Sequence, residues 1–176
     1  MIGIKQLADL VKTQKLVENL SERELTNPEG AGFDLRVGEI YEIVGEGFLG
    51  VKERQTPELK LVAQVEKDKD FVLKPGRYYV FKTIEQVNLP EDIVAWSYSR
   101  STLYRSGIII KGGQINPGYQ GGLSMGIVNL SSKPFRLELG ARVVHVVFSR
   151  VEGGGSAYRG QWQGGRVFTR QKEKQV

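Results

Sequence analysis

The sequence predicts a mainly β protein, a jelly-roll-like or distorted barrel domain with one N-terminal helix. Short β-rich runs separated by turn residues follow one another from Phe33 to Phe148. The 22 glycines supply the turns that such a fold needs. Helical spacing occurs in a single stretch, at the start of the chain.

Taken in order, Ile4, Leu7, Leu10, Val11, Leu16, Val17 and Leu20 fall at helical intervals. They predict one amphipathic helix over 4–20, with a break near Thr13. After Asn27-Pro28-Glu29-Gly30 the pattern becomes that of a strand. Phe33, Leu35 and Val37 alternate with Asp34, Arg36 and Gly38, and residues 40–44 continue the theme. Gly45, Gly47 and Gly50 punctuate the chain, and residues 52–58 form a polar loop. Residues 71–81 read as a hairpin around Pro75-Gly76. Residues 135–144 echo them, since both segments follow Phe-x-Leu-x-x-Gly with a β-rich continuation. The echo predicts two related corners of one β-sandwich. Gly153-Gly154-Gly155-Ser156 is the clearest joint. It separates a single domain, 1–152, from a tail, 153–176. That tail carries Tyr158, Trp162, Arg166 and Phe168, which suits a lid over a ligand; the alternative is a frayed terminus.

Composition narrows the function. A chain of 176 residues with 40% hydrophobic and 26% charged residues fits one soluble domain. No apolar run approaches the ~20 residues that cross a bilayer, so no membrane role is expected. Asp9, Lys12 and Lys15 interrupt any signal-peptide core, and a cytoplasmic location is expected. The absence of cysteine excludes disulfides, cysteine nucleophiles and Cys-rich zinc sites. With His145 the single histidine, neither a Ser-His triad nor a His-rich metal site is expected. His145 shares a face with Val143 and Val147, which suits a structural histidine under a sheet. The net charge of +5 is spread along the chain, apart from a terminal cluster at 166–174. That distribution points to a small polyanion and not to nucleic acid.

Two segments carry chemistry. Residues 99–107 set Arg100 and Arg105 among the hydroxyls of Ser99, Ser101, Thr102 and Ser106. Arginine forks and hydroxyl donors suit a polyphosphate. The plainer alternative is a strand-to-helix turn with Ser99 or Ser101 as N-cap. Residues 114–121 hold a Pro117-Gly118 turn that carries Tyr119. Its ring serves as a platform under a deoxyribose or simply packs on its own hairpin. Asp34 and Arg36 share a strand face, which makes either an ion pair or, through Asp34, a holder for a metal-bound water.

These segments, in this order, resemble the dUTPase and dCTP deaminase superfamily over roughly residues 30–165. Ala31-Gly32-Phe33-Asp34-Leu35-Arg36 is similar to its first motif. Ser99-Arg100-Ser101-Thr102-Leu103 resembles its Pro-Arg-Ser-Ser-Leu phosphate motif. Gln114-Ile115-Asn116-Pro117-Gly118-Tyr119-Gln120-Gly121 is similar to its Ile-Asp-x-x-Tyr-x-Gly hairpin. Gly140-Ala141-Arg142-Val143-Val144-His145 and Tyr158–Gly165 resemble the two later motifs. Length and the N-terminal helix look more like the deaminase branch and archaeal-type dUTPases.

The resemblance implies a dUTPase-like distorted jelly-roll or β-barrel, assembled as a homotrimer with active sites between subunits. It implies a deoxypyrimidine nucleoside triphosphate ligand with Mg²⁺ on its phosphates, Asp34 holding the metal through water. Nucleotide-binding roles fall on Arg100, Ser101, Thr102, Gln114, Ile115, Tyr119, Arg142, Tyr158 and Gln163, and catalytic roles on Asn116, Ser101 and Arg105. Two positions depart from the pattern. Gly126 stands where the deaminases keep the glutamate that moves protons at C4 of cytosine. Asn116 stands where dUTPases keep the aspartate that activates water. An amide orients a water but does not take its proton. The resulting expectation is a dUTPase-like diphosphatase with a weakened base at Asn116. The alternatives are a dCTP deaminase with a displaced acid/base or a non-catalytic nucleotide-binding homologue.

Overall fold

The computed structural model describes residues 1–175. Its elements in chain order are α1 (Ile4–Gln14), β1 (Val17–Glu18), α2 (Glu22–Thr26), β2 (Gly32–Val44), β3 (Phe48–Leu49), β4 (Glu53–Gln55), β5 (Glu58–Gln64), β6 (Asp70–Leu73), β7 (Tyr78–Asn88), β8 (Ile93–Ser99), α3 (Ser101–Arg105), β9 (Ile108–Lys111), β10 (Gln114–Ile115), β11 (Gln120–Asn129), β12 (Phe135–Glu138), β13 (Arg142–Arg150) and β14 (Glu173–Lys174).

The expected mainly β architecture is present. Strands β10-β8-β13-β2-β7-β11-β9 form one curled sheet, with β1 added on β7 and β5 on β2. Adjacent strands run antiparallel. Phe33, Leu35, Val37 and Ile40 of β2 are buried with Tyr79 and Phe81 of β7 and with Val144, Val146 and Phe148 of β13. The alternation read from the sequence is therefore the core face of these strands. Helix α1 closes one end by burying Leu7 and Leu10, and the Ile2 amide donates to the Phe148 carbonyl at 2.7 Å.

The N-terminal region differs from the single helix expected over 4–20. Helix α1 stops at Gln14, where Lys15 takes a left-handed conformation (φ 53°) and donates to the carbonyls of Leu10 and Val11. Val17 then pairs with Val87 in β1. The helical spacing of Leu16, Val17 and Leu20 is coincidental. Asn19, also left-handed at φ 63°, turns the chain out of that strand. A second helix, α2, begins at Ser21, whose hydroxyl accepts the Glu24 amide at 3.4 Å. The Ser-x-x-Glu spacing is its sequence signature.

The hairpin expected around Pro75-Gly76 is corrected in one respect. The chain turns there, with Gly76 at φ 70°. Yet β6 and β7 do not pair. Instead β6 pairs with β12, so that Phe71 faces Leu137 and Leu73 faces Phe135. The two echoing segments thus meet each other directly. Asn129, at the end of β11, explains the arrangement. Its amide nitrogen donates to the Leu73 carbonyl at 2.8 Å, and its own carbonyl accepts the Gly76 amide at 2.7 Å. This staples the turn to β11 and leaves β6 free for β12.

Asn129 is fully buried. Its side chain also donates to the Lys133 carbonyl and accepts from the amide and hydroxyl of Ser131. Replacement by alanine leaves several of these groups unpaired, at ~1–3 kcal/mol each. Urea denaturation of Asn129→Ala is expected to show a loss of about 2–4 kcal/mol with an unchanged m-value.

Candidate functional site

A cavity of about 420 Å³ opens between β11, β7 and the C-terminal segment. Leu123, Ser124, Met125 and Gly126 of β11 form its floor, with Tyr78 and Val80 of β7 beside them. Gln114, Ile115, Asn116 and Tyr119 enter from the Pro-Gly turn, and Lys111 from β9. Tyr158, Trp162, Arg166 and Val167 cover it. Among the described residues that line it, the charged side chains are Lys111 and Arg166, and none is a carboxylate.

The turn is built rigidly. Gly118 takes φ 76° and donates to the Leu89 carbonyl at 3.0 Å. The Tyr119 amide donates to the Asn116 carbonyl at 3.2 Å. Tyr119 is buried, its hydroxyl donates to the Gly122 carbonyl at 2.8 Å, and its ring meets that of Tyr158 edge-on at 5.5 Å. Burial pushes the Tyr119 phenol up to about 12, with Tyr158 adding to the effect. It is a fixed, neutral wall. The Asn116 side-chain oxygen accepts from the Gln114 side-chain amide at 2.8 Å, which fixes the two amides to each other at the cavity wall.

Gly126 is buried, and a Cβ built on it would overlap the hydroxyl of Tyr78. The Tyr78 ring lies across the glycine. A side chain at 126 therefore requires the Tyr78 phenol to move aside.

The tail is clasped onto the Pro-Gly turn and the start of β11. The Tyr158 amide donates to the Pro117 carbonyl at 2.7 Å and the Gly164 amide to the Gln120 carbonyl at 2.8 Å. Gln163 donates to the Gly118 carbonyl at 2.9 Å and accepts the Gln120 amide at 3.0 Å. Further on, buried Thr169 exchanges hydrogen bonds with Thr56, and β14 pairs with β4. The segment that covers the cavity is thus also held beyond it.

A second constellation lies elsewhere. Asp34 is buried, and its Oδ1 meets His145 Nδ1 at 2.8 Å across the β2–β13 register. Its Oδ2 pairs with Arg142 at 3.1 Å and with Arg100. Buried Glu24 accepts the Asp34 amide at 3.0 Å and pairs with Arg23 and Arg142. Arg36 pairs with Glu85 (2.6 Å) instead of the strand neighbour Asp34. His145, expected among Val143 and Val147 under the sheet, is half-buried and belongs to this charged cluster. Burial lowers its pKa below 6.5, with Arg100 acting in the same direction and Glu24 and Glu29 against it. Burial also lowers the Arg100 pKa, helped by Arg142 and Arg23.

This cluster does not fit a protein-held Mg²⁺. Both Asp34 oxygens are taken by cationic or histidine partners. Among the described residues no group of three His, Asp or Glu side chains converges for an ion.

Gln114, Ile115, Asn116, Tyr119 and Tyr158 therefore gather on the cavity. Gln163 braces the turn from outside and does not line the cavity. Arg100 and Arg142 sit in the acidic cluster. Ser101, Thr102 and Arg105 are exposed on α3 and do not line the cavity. The N-cap of α3 is Arg100 and not Ser99 or Ser101, and it makes no side-chain cap bond. Sequence reasoning missed Tyr78, Lys111 and Glu24. Tyr78 reaches Gly126 only through the β7–β11 register, which carries no local signature.

A model of the dCTP deaminase-like family matches residues 2–151. The chain belongs to this family. It is 32% identical over 167 residues to a dCTP deaminase of Pyrococcus furiosus, covering 94% of this chain and 96% of that one. It is 33% identical over 166 residues to a dCTP deaminase of Pyrococcus horikoshii, covering 93% and 95%. In fold it is similar to the 2'-deoxycytidine 5'-triphosphate deaminase of Agrobacterium tumefaciens, with a TM-score of 0.65 at 20% identity. That match covers 85% of this chain and 48% of the other, about half its length. It is also similar in fold to a mutant dUTPase from a Staphylococcus aureus phage, phi11, with a TM-score of 0.51 at 19% identity, covering 77% and 89%. The dUTPase-like β-fold expected from the motifs is thus the fold of the chain.

Two outcomes follow from the geometry. Below pH 6.5 the unfolded chain binds a proton on its histidine that the folded chain, with its lowered His145 pKa, refuses. Stability is then full above pH 6.5 and falls as the pH drops toward the folded value. In urea titrations between about pH 5 and 7, His145→Gln is expected to flatten that slope. Gln163→Ala removes both side-chain bonds to the turn, each worth ~0.5–1.5 kcal/mol. Trypsin is expected to cut the tail several-fold faster in this variant, with the 1–152 body left intact.

Proposed function

We propose that this protein binds dCTP and dUTP in a site of the dCTP deaminase kind, and that its own side chains support turnover only slowly. The observation that carries the reading is the cavity lining: rigid aromatic walls, oriented amides, cations and no carboxylate. Aromatic and amide groups suit a base and sugar, and Lys111 and Arg166 favour an anion. The Tyr119 ring, fixed by Gly122 and Tyr158, offers a flat wall to a sugar without a 2'-hydroxyl. Deamination requires a group that passes a proton between water and the base, an effect worth ~10²–10⁴-fold in rate. By the family resemblance that group belongs at position 126, which holds glycine, and Tyr78 occupies its space.

The dUTP-hydrolysing reading expected first from the motifs gives way to the deaminase side, because the curated relatives quoted above carry the name dCTP deaminase. Asn116 keeps the geometry for orienting a water without the basicity to deprotonate it. A homotrimer, as the resemblance implies, would set Ser101, Thr102 and Arg105 of one subunit against the cavity of the next. Exposed Tyr98, Tyr104 and Ile109 beside α3 support such an interface. Mg²⁺ enters this reading as the counter-ion that a triphosphate carries from solution.

A second reading, a working dCTP deaminase with its acid/base supplied by another subunit, is favoured by the similarity over nearly the whole chain. The purified protein incubated with Mg²⁺ and dCTP or dUTP separates the readings. The expected result is saturable binding of both nucleotides, with ammonia release from dCTP at least ~100-fold below that expected with a positioned acid/base. Rapid ammonia release makes the protein a working deaminase. Rapid dUMP formation from dUTP returns it to the hydrolase reading.

A further inference from the structure

We infer that Tyr78 is the residue that reads the base, a specificity-determining phenol that stands in the place of a side chain at 126 and makes the site accept cytosine and uracil alike. The inference rests on the nucleotide-binding reading above. Its own basis is geometric.

Gly126 lies opposite Val80 on β7 and opposite Lys111 on β9. Tyr78 is two residues along β7 from Val80, paired with Val128. Its side chain leans diagonally along the strand pair, so the ring covers Gly126 and the hydroxyl stands where a Cβ would be. Diagonal neighbours across an antiparallel pair lie within reach of an aromatic side chain. A ring laid on a strand glycine also restores the packing that the glycine lacks. Gly126 is buried beneath it, while Tyr78 itself is 46% exposed. The phenol therefore presents its polar end to the cavity and not to the core. Both Tyr78 and Gly126 line that cavity.

The chemistry of the replacement sets the specificity. An ionised carboxylate only accepts hydrogen bonds, so at this place it favours the 4-amino donor of cytosine over the 4-carbonyl acceptor of uracil. A phenol hydroxyl both donates and accepts, and it rotates to suit. It can accept from the amino group of cytosine or donate to the carbonyl of uracil. Neither bond leaves a buried group unpaired, so neither base is penalised. Ser124, which also lines the cavity, has the same dual character; Lys111 only donates, and its place here is as a partner of the triphosphate and not of the base.

Calorimetry with the α,β-imido analogues of dCTP and dUTP, and with inorganic tripolyphosphate, tests the assignment in the presence of Mg²⁺. Wild-type protein is expected to bind the two analogues within about threefold of each other. Tyr78→Phe keeps the ring on Gly126 and removes the hydroxyl. It is expected to weaken both analogues about three- to tenfold and to leave tripolyphosphate unchanged. An unchanged affinity in Tyr78→Phe, an equal loss for tripolyphosphate, or a wild-type preference above about tenfold for one base overturns the inference. Binding of neither analogue to the wild type overturns the nucleotide reading itself. The overlap is tested separately. Gly126→Glu is expected to lose analogue binding, while Gly126→Glu combined with Tyr78→Ala recovers it to within about threefold of Tyr78→Ala alone. Binding by Gly126→Glu at the wild-type level shows that the ring does not hold that space and overturns the assignment.

Discussion

Strand β11 is approached closely from its surroundings at three glycines. At Gly126 the excluding group is the Tyr78 ring. At Gly121, with φ 128°, it is the backbone of the tail at Gly164 and Gly165. At Gly122 the Lys82 stem crosses, 2.8 Å from where a Cβ would stand. The rest of the site depends on these close approaches. The tail lies down on the turn because nothing projects from Gly121, and its amides then find partners at Pro117, Gly118 and Gln120. Tyr119, the first large side chain before the strand, becomes the wall of the cavity because the glycines after it leave room.

A different constraint governs the charged cluster. Asp34 and Glu24 are buried carboxylates, and a buried charge is tolerated only when paired and hydrogen-bonded. Arg100 and Arg142 meet that need on Asp34, Arg23 and Arg142 on Glu24, and His145 adds a bond. The same pairing holds the arginines in place. Their forks are partly used internally, which leaves these side chains little rotamer freedom. Removing Asp34 would leave several guanidinium groups close together. The acid is therefore better understood as the organiser of the arginines than as a ligand for a metal.

Much of this is legible in the sequence. The alternation at Phe33, Leu35 and Val37 is a backbone-scale signal, and it fixes the core face of β2 whatever the partners are. The Pro117-Gly118 turn and Tyr119 announce themselves locally, and five motifs in order point to one fold. What stays hidden is what depends on register and pairing. Period 3.6 and period 2 cannot be separated in a run as short as Leu16, Val17 and Leu20, so β1 reads as helix. The Phe-x-Leu echo reveals kinship between two segments but not that they pair. Whether Pro75-Gly76 closes a hairpin is decided by Asn129, which reaches the Leu73 carbonyl from 56 residues further along the chain. Tyr78 carries no signal at all, because its importance comes from a glycine on the neighbouring strand.

Loss of a carboxylate from a nucleotide pocket has two separable consequences. Proton transfer suffers because no remaining group takes up and releases a proton near neutral pH. Recognition need not suffer, since hydrogen bonding to a base requires only donors and acceptors in place. Here the volume beside the glycine is filled from the next strand by a ring that seals it and turns a hydroxyl toward the cavity. The filling is what keeps the floor closed: a bare glycine on β11 would expose backbone and admit water. A pocket that had merely decayed would show a void or a collapsed wall at 126. This one has a rigid turn, a latched cover and a packed floor around an open cavity. That combination is what the proposed binding role requires of a site without a proton-transfer group.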